Sequence, residues 1–168
     1  GMRRTRVNPR TAERHYTWEK VAAVNREVSA LWPLLRPLEV EEVFFVGEVP
    51  KGMAPLPHDR RLIRSVTAPS AIVSFMRDRD GHAWAFVVNG AHGMRRSAKN
   101  TERTLRLHLD EQVRAIAIAS RESGELQPIE ITRNEVYLTL PGGTGTLLRL
   151  TTDAGTPPSP QEQQENGR

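Results

Sequence analysis

Short strand-like segments follow one another at close intervals through the second half of the chain, and they restrict the fold more than any other feature. Residues 71–77 and 83–89 are rich in β-branched and aromatic side chains, and Asp80 and Gly81 lie in the short turn between them. An Asp-Gly pair in such a turn is a strong signal for a β-hairpin. Residues 104–109 alternate leucine with polar side chains, which predicts a strand with one wet face.

The same pattern continues towards the C-terminal end. In residues 113–119, strict alternation places Val113, Ala115 and Ala117 on one face and Arg114, Ile116 and Ile118 on the other. A turn then leads into a predicted strand at residues 125–131. Residues 135–150 contain two strand-like runs joined by a Gly-rich segment, which predicts a closing β-hairpin. Several strands at this spacing, with no helical periods between them, favour a β-sandwich or barrel over an α/β fold.

One amphipathic helix is predicted before the strands, over residues 17–36. Its apolar residues recur at steps of three and four, which is typical of a helix with one buried face, and they are Val21, Val24, Val28, Leu31, Trp32 and Leu35. Pro33 removes an interior hydrogen bond and predicts a kink, and Pro37 predicts that the helix ends before it. We expect the helix to dock on the sandwich, or on a second copy of the chain, through Val21, Val24, Val28, Leu31 and Leu35.

The remaining segments complete the predicted fold. Residues 39–46 suit a strand, and the prolines and glycine in residues 47–59 predict an irregular connection. The fold class is therefore mainly β, an antiparallel β-sandwich of about seven or eight strands with one N-terminal amphipathic helix. Residues 17–152 form the predicted domain. Residues 1–16 are expected to be a flexible N-terminal segment, and the polar, Pro-rich residues 153–168 a disordered tail.

Composition limits the functions that such a domain can have. A length of 168 residues with 38% apolar content suits one compact domain. The net charge is +4, but the arginine pairs lie far apart among acidic residues, so we expect no nucleic-acid partner. No segment approaches the length of an apolar membrane span, so we expect no membrane partner. The chain has no cysteine, which excludes disulfides and thiol nucleophiles and gives no indication of the compartment.

Four segments occur in an order and at a spacing that match a known family. They are the helix segment Trp18-Glu19-Lys20-Val21-Ala22-Ala23-Val24-Asn25-Arg26-Glu27-Val28, then Val43-Phe44-Phe45-Val46-Gly47, then Ala85-Phe86-Val87-Val88-Asn89, and finally Tyr137-Leu138-Thr139-Leu140-Pro141-Gly142-Gly143 with Leu147-Leu148-Arg149-Leu150. They resemble the terminal barrel helix and the following C-terminal β-sandwich of bacterial glycoside hydrolases of the β-galactosidase-like kind. The resemblance covers nearly all of the chain between Trp18 and Leu150.

The resemblance implies an accessory domain rather than an enzyme. The two catalytic carboxylates of these hydrolases lie on barrel strands upstream of the terminal helix, and the chain is expected to begin after those strands. We therefore expect a non-catalytic β-sandwich domain with a structural role beside a catalytic barrel. The partner at the helix face is expected to be either this barrel or a second copy of the chain. The alternative is a carbohydrate-binding module that uses exposed aromatic rings.

Side chains that could carry chemistry have simpler structural interpretations. Glycoside hydrolysis needs two carboxyl groups across a cleft, but Asp78 and Asp80 belong to a predicted turn, where Asp is favoured for local hydrogen bonds. The histidines show no metal-ligand spacing, and they are His15, His58, His82, His92 and His108. The Gly-rich residues 141–146 lead into a strand and lack lysine, unlike a phosphate loop. We expect no catalytic residue, no metal and no cofactor.

Two aromatic residues are the candidate carbohydrate contacts. Trp84 alternates with Phe86 and Val88 on one face of its strand, and core packing is the favoured interpretation because an indole ring buries so much area. Tyr137 alternates with Leu138 and Leu140, which leaves its ring exposed. A bracing domain predicts an uncovered apolar patch on the helix or on one sheet face, whereas a binding module predicts coplanar exposed rings.

Overall fold

The computed structural model describes residues 16–58, 61–92 and 97–152. In these residues one α-helix and nine strands are present, with a short 3-10 helix at Lys99–Thr101. The elements are α1 (Tyr16–Leu35), β1 (Glu39–Gly47), β2 (Ile63–Thr67), β3 (Ser70–Arg77), β4 (Ala83–Asn89), β5 (Arg103–Leu109), β6 (Val113–Ala119), β7 (Leu126–Ile129), β8 (Glu135–Leu140) and β9 (Gly145–Thr152). The predicted class, mainly β with one N-terminal helix, is confirmed.

The strands form two antiparallel sheets. The larger has the order β1-β3-β4-β9-β6-β7, and the smaller has the order β2-β5-β8. Apolar side chains from both sheets form the main core between them; fully buried members include Ile63, Val73, Val87, Leu105, Leu107, Val136 and Leu148. The predicted hairpin of β3 and β4 is confirmed by their antiparallel register.

The predicted closing hairpin is wrong, because β8 and β9 lie in different sheets. β8 pairs with β5, whereas β9 pairs with β4 and β6. Residues 141–144 carry the chain across the sandwich, and backbone hydrogen bonds with Asn89 hold the crossing: Asn89 N–H donates to the Thr144 carbonyl at 2.9 Å, and Gly143 N–H donates to the Asn89 carbonyl at 2.8 Å. Strands β8 and β9 therefore pair with strands that are distant in the sequence and not with each other.

The predicted faces of β6 are also wrong. The pairing of β6 with β9 shifts register between Val113 and Ala115. A bulge of this kind changes which face the following residues occupy. As a result Val113 and Ile116 are both buried in the main core, with Ile118 packed against it, while Ala115 is exposed.

Strand β2 was not expected from the sequence. Its apolar residues Ile63 and Val66 are buried, but a register shift between Ile63 and Ser65 interrupts the alternation that would reveal a strand. Arg64 is charged, and it is accommodated because its guanidinium donates to Asp110, with Nε to Oδ2 at 2.8 Å. Hydrogen bonds and the charge of Arg64 lower the pKa of Asp110, and the hydrogen bond from the Gln112 backbone is the largest contribution.

The predicted end segments lie outside the described residues. This holds for residues 1–15 of the predicted N-terminal segment and for residues 153–168 of the predicted tail. The helix begins at Tyr16, runs through Pro33 and ends at Leu35. In the described part of the chain, no helix has the length and apolar character that crossing a membrane requires.

Candidate functional site

The C-terminal part of α1 packs on the outer face of the larger sheet. Leu31, Leu34 and Leu35, with Leu38 just after the helix, contact a second apolar cluster, whose buried members are Met76, Trp84, Ala119 and Leu147. These side chains project from strands β3, β4, β6 and β9, on the side opposite the main core. The predicted docking of the helix through Leu31 and Leu35 is therefore confirmed.

The turn between β6 and β7 holds the middle of the helix. Arg121 forms an ion pair with Glu27 across this contact, with 3.0 Å between the guanidinium nitrogen and the carboxylate oxygen. Gly124 lies so close to α1 that an added Cβ would overlap the carbonyl oxygen of Ala30. It also has a φ of +74°, which favours glycine. The close approach and the ion pair fix the middle of the helix against this turn.

Much of the apolar surface of the helix is uncovered. Its members recur at helical spacing, and we call them the helix stripe: Trp18, Val21, Val24, Val28 and Trp32. Their exposed fractions are 60%, 49%, 57%, 51% and 56%. The predicted docking of Val21, Val24 and Val28 on the sandwich is wrong, because the sheet covers this side of the helix only from Leu31 onward. Docking of the three valines on a second copy of the chain stays a prediction. Tryptophans and valines in such a continuous exposed row are typical of an interaction surface.

Trp84 is an internal residue. It is 4% exposed and belongs to the cluster beneath the helix. Its indole N–H donates to Asp78 Oδ2 at 2.9 Å, and the Arg149 guanidinium lies 5.9 Å from the ring centroid. The favoured interpretation, core packing, agrees with this placement, and no ring face of Trp84 is open to a sugar.

Asp78, Asp80 and His82 come together in the β3–β4 turn, with potential ligand atoms within 4.8 Å of one another. Oδ1 of Asp78 accepts hydrogen bonds from the backbone N–H groups of Asp80 at 3.0 Å and of His82 at 2.9 Å. Oδ2 accepts from the Trp84 indole and lies 2.9 Å from Nδ1 of His82. A carboxylate has about four acceptor positions, so those of Asp78 are occupied in holding the turn.

The ionisation of Asp78 supports the same structural role. Burial is the largest single influence and disfavours the charged form, but the hydrogen bonds from Trp84 and His82 together outweigh it and lower the pKa of Asp78. A carboxylate with a lowered pKa is ionised at neutral pH and cannot act as a general acid there. The interpretation of Asp78 and Asp80 as turn residues is the one this geometry favours.

Tyr137 is exposed on the outer side of the smaller sheet. The outward side chains of its three strands are all polar or aromatic, and we call this surface the polar face: Ser65, Thr67, Thr104, Arg106, His108, Glu135, Tyr137 and Thr139. The Tyr137 hydroxyl donates to Glu135 Oε2 at 2.8 Å, and Glu135 Oε1 is paired with Arg106 at 2.9 Å. The hydrogen bond with Glu135 raises the pKa of Tyr137.

The histidines do not converge in the described residues. His58 and His92 are exposed in loops, His82 lies in the β3–β4 turn, and His108 is half-buried on the polar face. His15 lies outside the described residues. Asn89 carries no recognisable motif in the sequence, but its buried amide organises the loops at one end of the sandwich. An asparagine at the end of an apolar strand was the only signal that could have identified it.

Comparison with known proteins adds no identification. No protein-family model, curated protein or solved structure matches this chain.

Proposed function

We propose that this protein is the non-catalytic β-sandwich domain of a glycoside-hydrolase-like protein, and that it braces an adjoining catalytic barrel through the helix stripe. The exposed stripe on α1 is the observation that carries the proposal. In this arrangement the barrel performs the hydrolysis, and the sandwich supports it without contributing catalytic groups.

The partial cover of the apolar side of α1 supports a position between two bodies. Leu31, Leu34 and Leu35 contact the sandwich, whereas Val21, Val24 and Val28, which continue the apolar side towards the N-terminal end, are exposed. The apolar side of a surface helix is normally buried, so the part that the sandwich leaves uncovered needs a second neighbour. A helix in the outer ring of a (β/α)8 barrel that also carries an attached domain has such an environment.

The size of the stripe is sufficient for a stable contact when neighbouring surface also contributes. Covering the exposed parts of two tryptophans and three valines would remove on the order of 400 Å² from water. At about 25 cal/mol per Å², this is roughly 10 kcal/mol before the costs of association. The stripe would supply about half of one side of a standard interface.

Site-specific photo-cross-linking tests the proposal. Asn25 is exposed and lies within the row formed by Val21, Val28 and Trp32, so a photoreactive p-benzoylphenylalanine in place of Asn25 would report the occupant of the stripe. In an extract of the source organism, the expected product is a cross-link to a barrel-containing glycoside hydrolase, identified by mass spectrometry. The same amino acid in place of the exposed Glu111 is the matched control and should not form this product.

A charge in the stripe should abolish the cross-link without unfolding the protein. Val28 is half exposed, so Val28→Asp should leave the melting temperature nearly unchanged while placing an unpaired charge in the contact. A cross-link that forms between two copies of the chain, or that persists in Val28→Asp, would contradict the proposed bracing role.

A further inference from the structure

We propose that the polar face binds a neutral saccharide, with Tyr137 at its centre. This surface belongs to the smaller sheet, whereas α1 packs on the larger sheet, so the inference does not depend on the bracing role. Its side chains form three rows across the strands: Ser65, His108 and Glu135; Thr67, Arg106 and Tyr137; then Thr104 and Thr139.

A single aromatic ring supplies the apolar part of the contact. The described residues of this face present no set of coplanar rings, so the polar groups around Tyr137 carry the rest of the binding. Tyr137 is 57% exposed on a strand whose inward residues Val136, Leu138 and Leu140 are buried. The C–H groups on one face of a pyranose ring form an apolar surface that packs on an exposed aromatic ring, while the ring hydroxyls remain at its edge. An exposed tyrosine also loses little conformational entropy on binding, since it has only two side-chain torsions.

The surrounding polar groups are already held in position. Glu135 accepts from the Tyr137 hydroxyl and pairs with Arg106, and the Thr104 and Thr139 hydroxyls lie 2.9 Å apart. Groups fixed in this way lose less freedom when a ligand binds. A guanidinium keeps further N–H donors after one ion pair, and a carboxylate keeps further acceptor positions, so the face can both donate to and accept from sugar hydroxyls.

Charge balance selects a neutral ligand. The charge of Arg106 is matched by Glu135, so the centre of the face carries no excess positive charge to attract phosphate or sulfate. The extent of the face also fits a short saccharide, since three strands span about 10 Å and residues 135–139 span about 13 Å. Two linked pyranose rings cover a surface of this size.

Titration with defined oligosaccharides tests the inference. The probes are cellohexaose, xylohexaose, mannohexaose and laminarihexaose, each added up to about 5 mM to the ¹⁵N-labelled full chain and followed by NMR. At least one probe should shift amide signals of β2, β5 and β8. Tyr137→Ala should weaken its binding about tenfold or more, whereas Tyr137→Phe keeps the ring and should lose only a few-fold.

Controls distinguish specific saccharide binding from non-specific binding and from misfolding of the variants. Met53→Ala removes a similarly exposed large side chain beside β1 and should bind as the unmodified chain does. Melting temperatures should show that both Tyr137 variants are folded. The inference is overturned if none of the four oligosaccharides shifts a signal, if the shifts lie outside the smaller sheet, or if folded Tyr137→Ala binds normally. Binding of heparin alone, lost on adding salt, would also overturn it.

Discussion

Replacing Asn89 with alanine should be among the most destabilising single changes in the protein. Asn89 is 1% exposed, and its side-chain amide donates to the carbonyl oxygens of Thr101 at 3.0 Å and Leu140 at 2.8 Å. Its side-chain oxygen accepts from the Ala91 N–H at 3.0 Å. The amide therefore connects the loop after β4, the entry to β5 and the end of β8.

The expected loss of unfolding free energy follows from the polar groups that Asn89→Ala leaves without a hydrogen-bond partner. Two carbonyls and one N–H lose their partner, and each buried unsatisfied group costs about 1–3 kcal/mol. Partial entry of water should keep the total near about 3–5 kcal/mol. This is a large part of the 5–15 kcal/mol roughly available to a domain of this kind.

Urea denaturation followed by circular dichroism measures the change in unfolding free energy. The matched control is Asn100→Ala, because Asn100 is exposed and its replacement should stay within about 0.5 kcal/mol of the unmodified protein. Asn89→Asp should be at least as damaging as the alanine variant at neutral pH, since a carboxylate oxygen would face two carbonyl oxygens. A loss below about 1 kcal/mol for Asn89→Ala would refute the reasoning.

The two remaining predictions concern the helix contact and the β3–β4 turn. Gly124 and Gly143 both have positive φ, of +74° and +71°, so alanine at either should cost about 1–2 kcal/mol from backbone strain. Only Gly124→Ala would also overlap the Ala30 carbonyl, whereas an added Cβ at Gly143 meets open space, so Gly124→Ala should lower the melting temperature more. Equal decreases in melting temperature for the two variants would show that α1 is not held at this turn. The lowered pKa of Asp78 predicts stabilisation that is present above its unfolded pKa and is lost as pH falls through the folded pKa. The stability gap between the unmodified protein and Asp78→Asn should therefore shrink on titration from about pH 5 to pH 2, and a gap that is constant over this range would contradict the assignment.

The amino-acid sequence determined those elements whose signals are local. The apolar period of residues 17–36 indicated α1, because side chains three and four apart share one side of a helix. The Asp-Gly turn and the β-rich runs around it indicated the hairpin of β3 and β4, because a hairpin forms between neighbours in the chain. The exposed position of Tyr137 also followed from simple alternation along β8.

Only the tertiary structure decided which surfaces are covered and which strands are partners. Val24 and Leu31 belong to the same apolar pattern, yet Leu31 packs against the larger sheet and Val24 faces solvent. The period of a helix shows where its apolar residues lie but not which of them another element covers. β8 and β9 are adjacent in sequence but pair in different sheets, since their partners are distant strands. The bulges in β2 and β6 likewise arise from pairing with distant strands, which no local pattern reports.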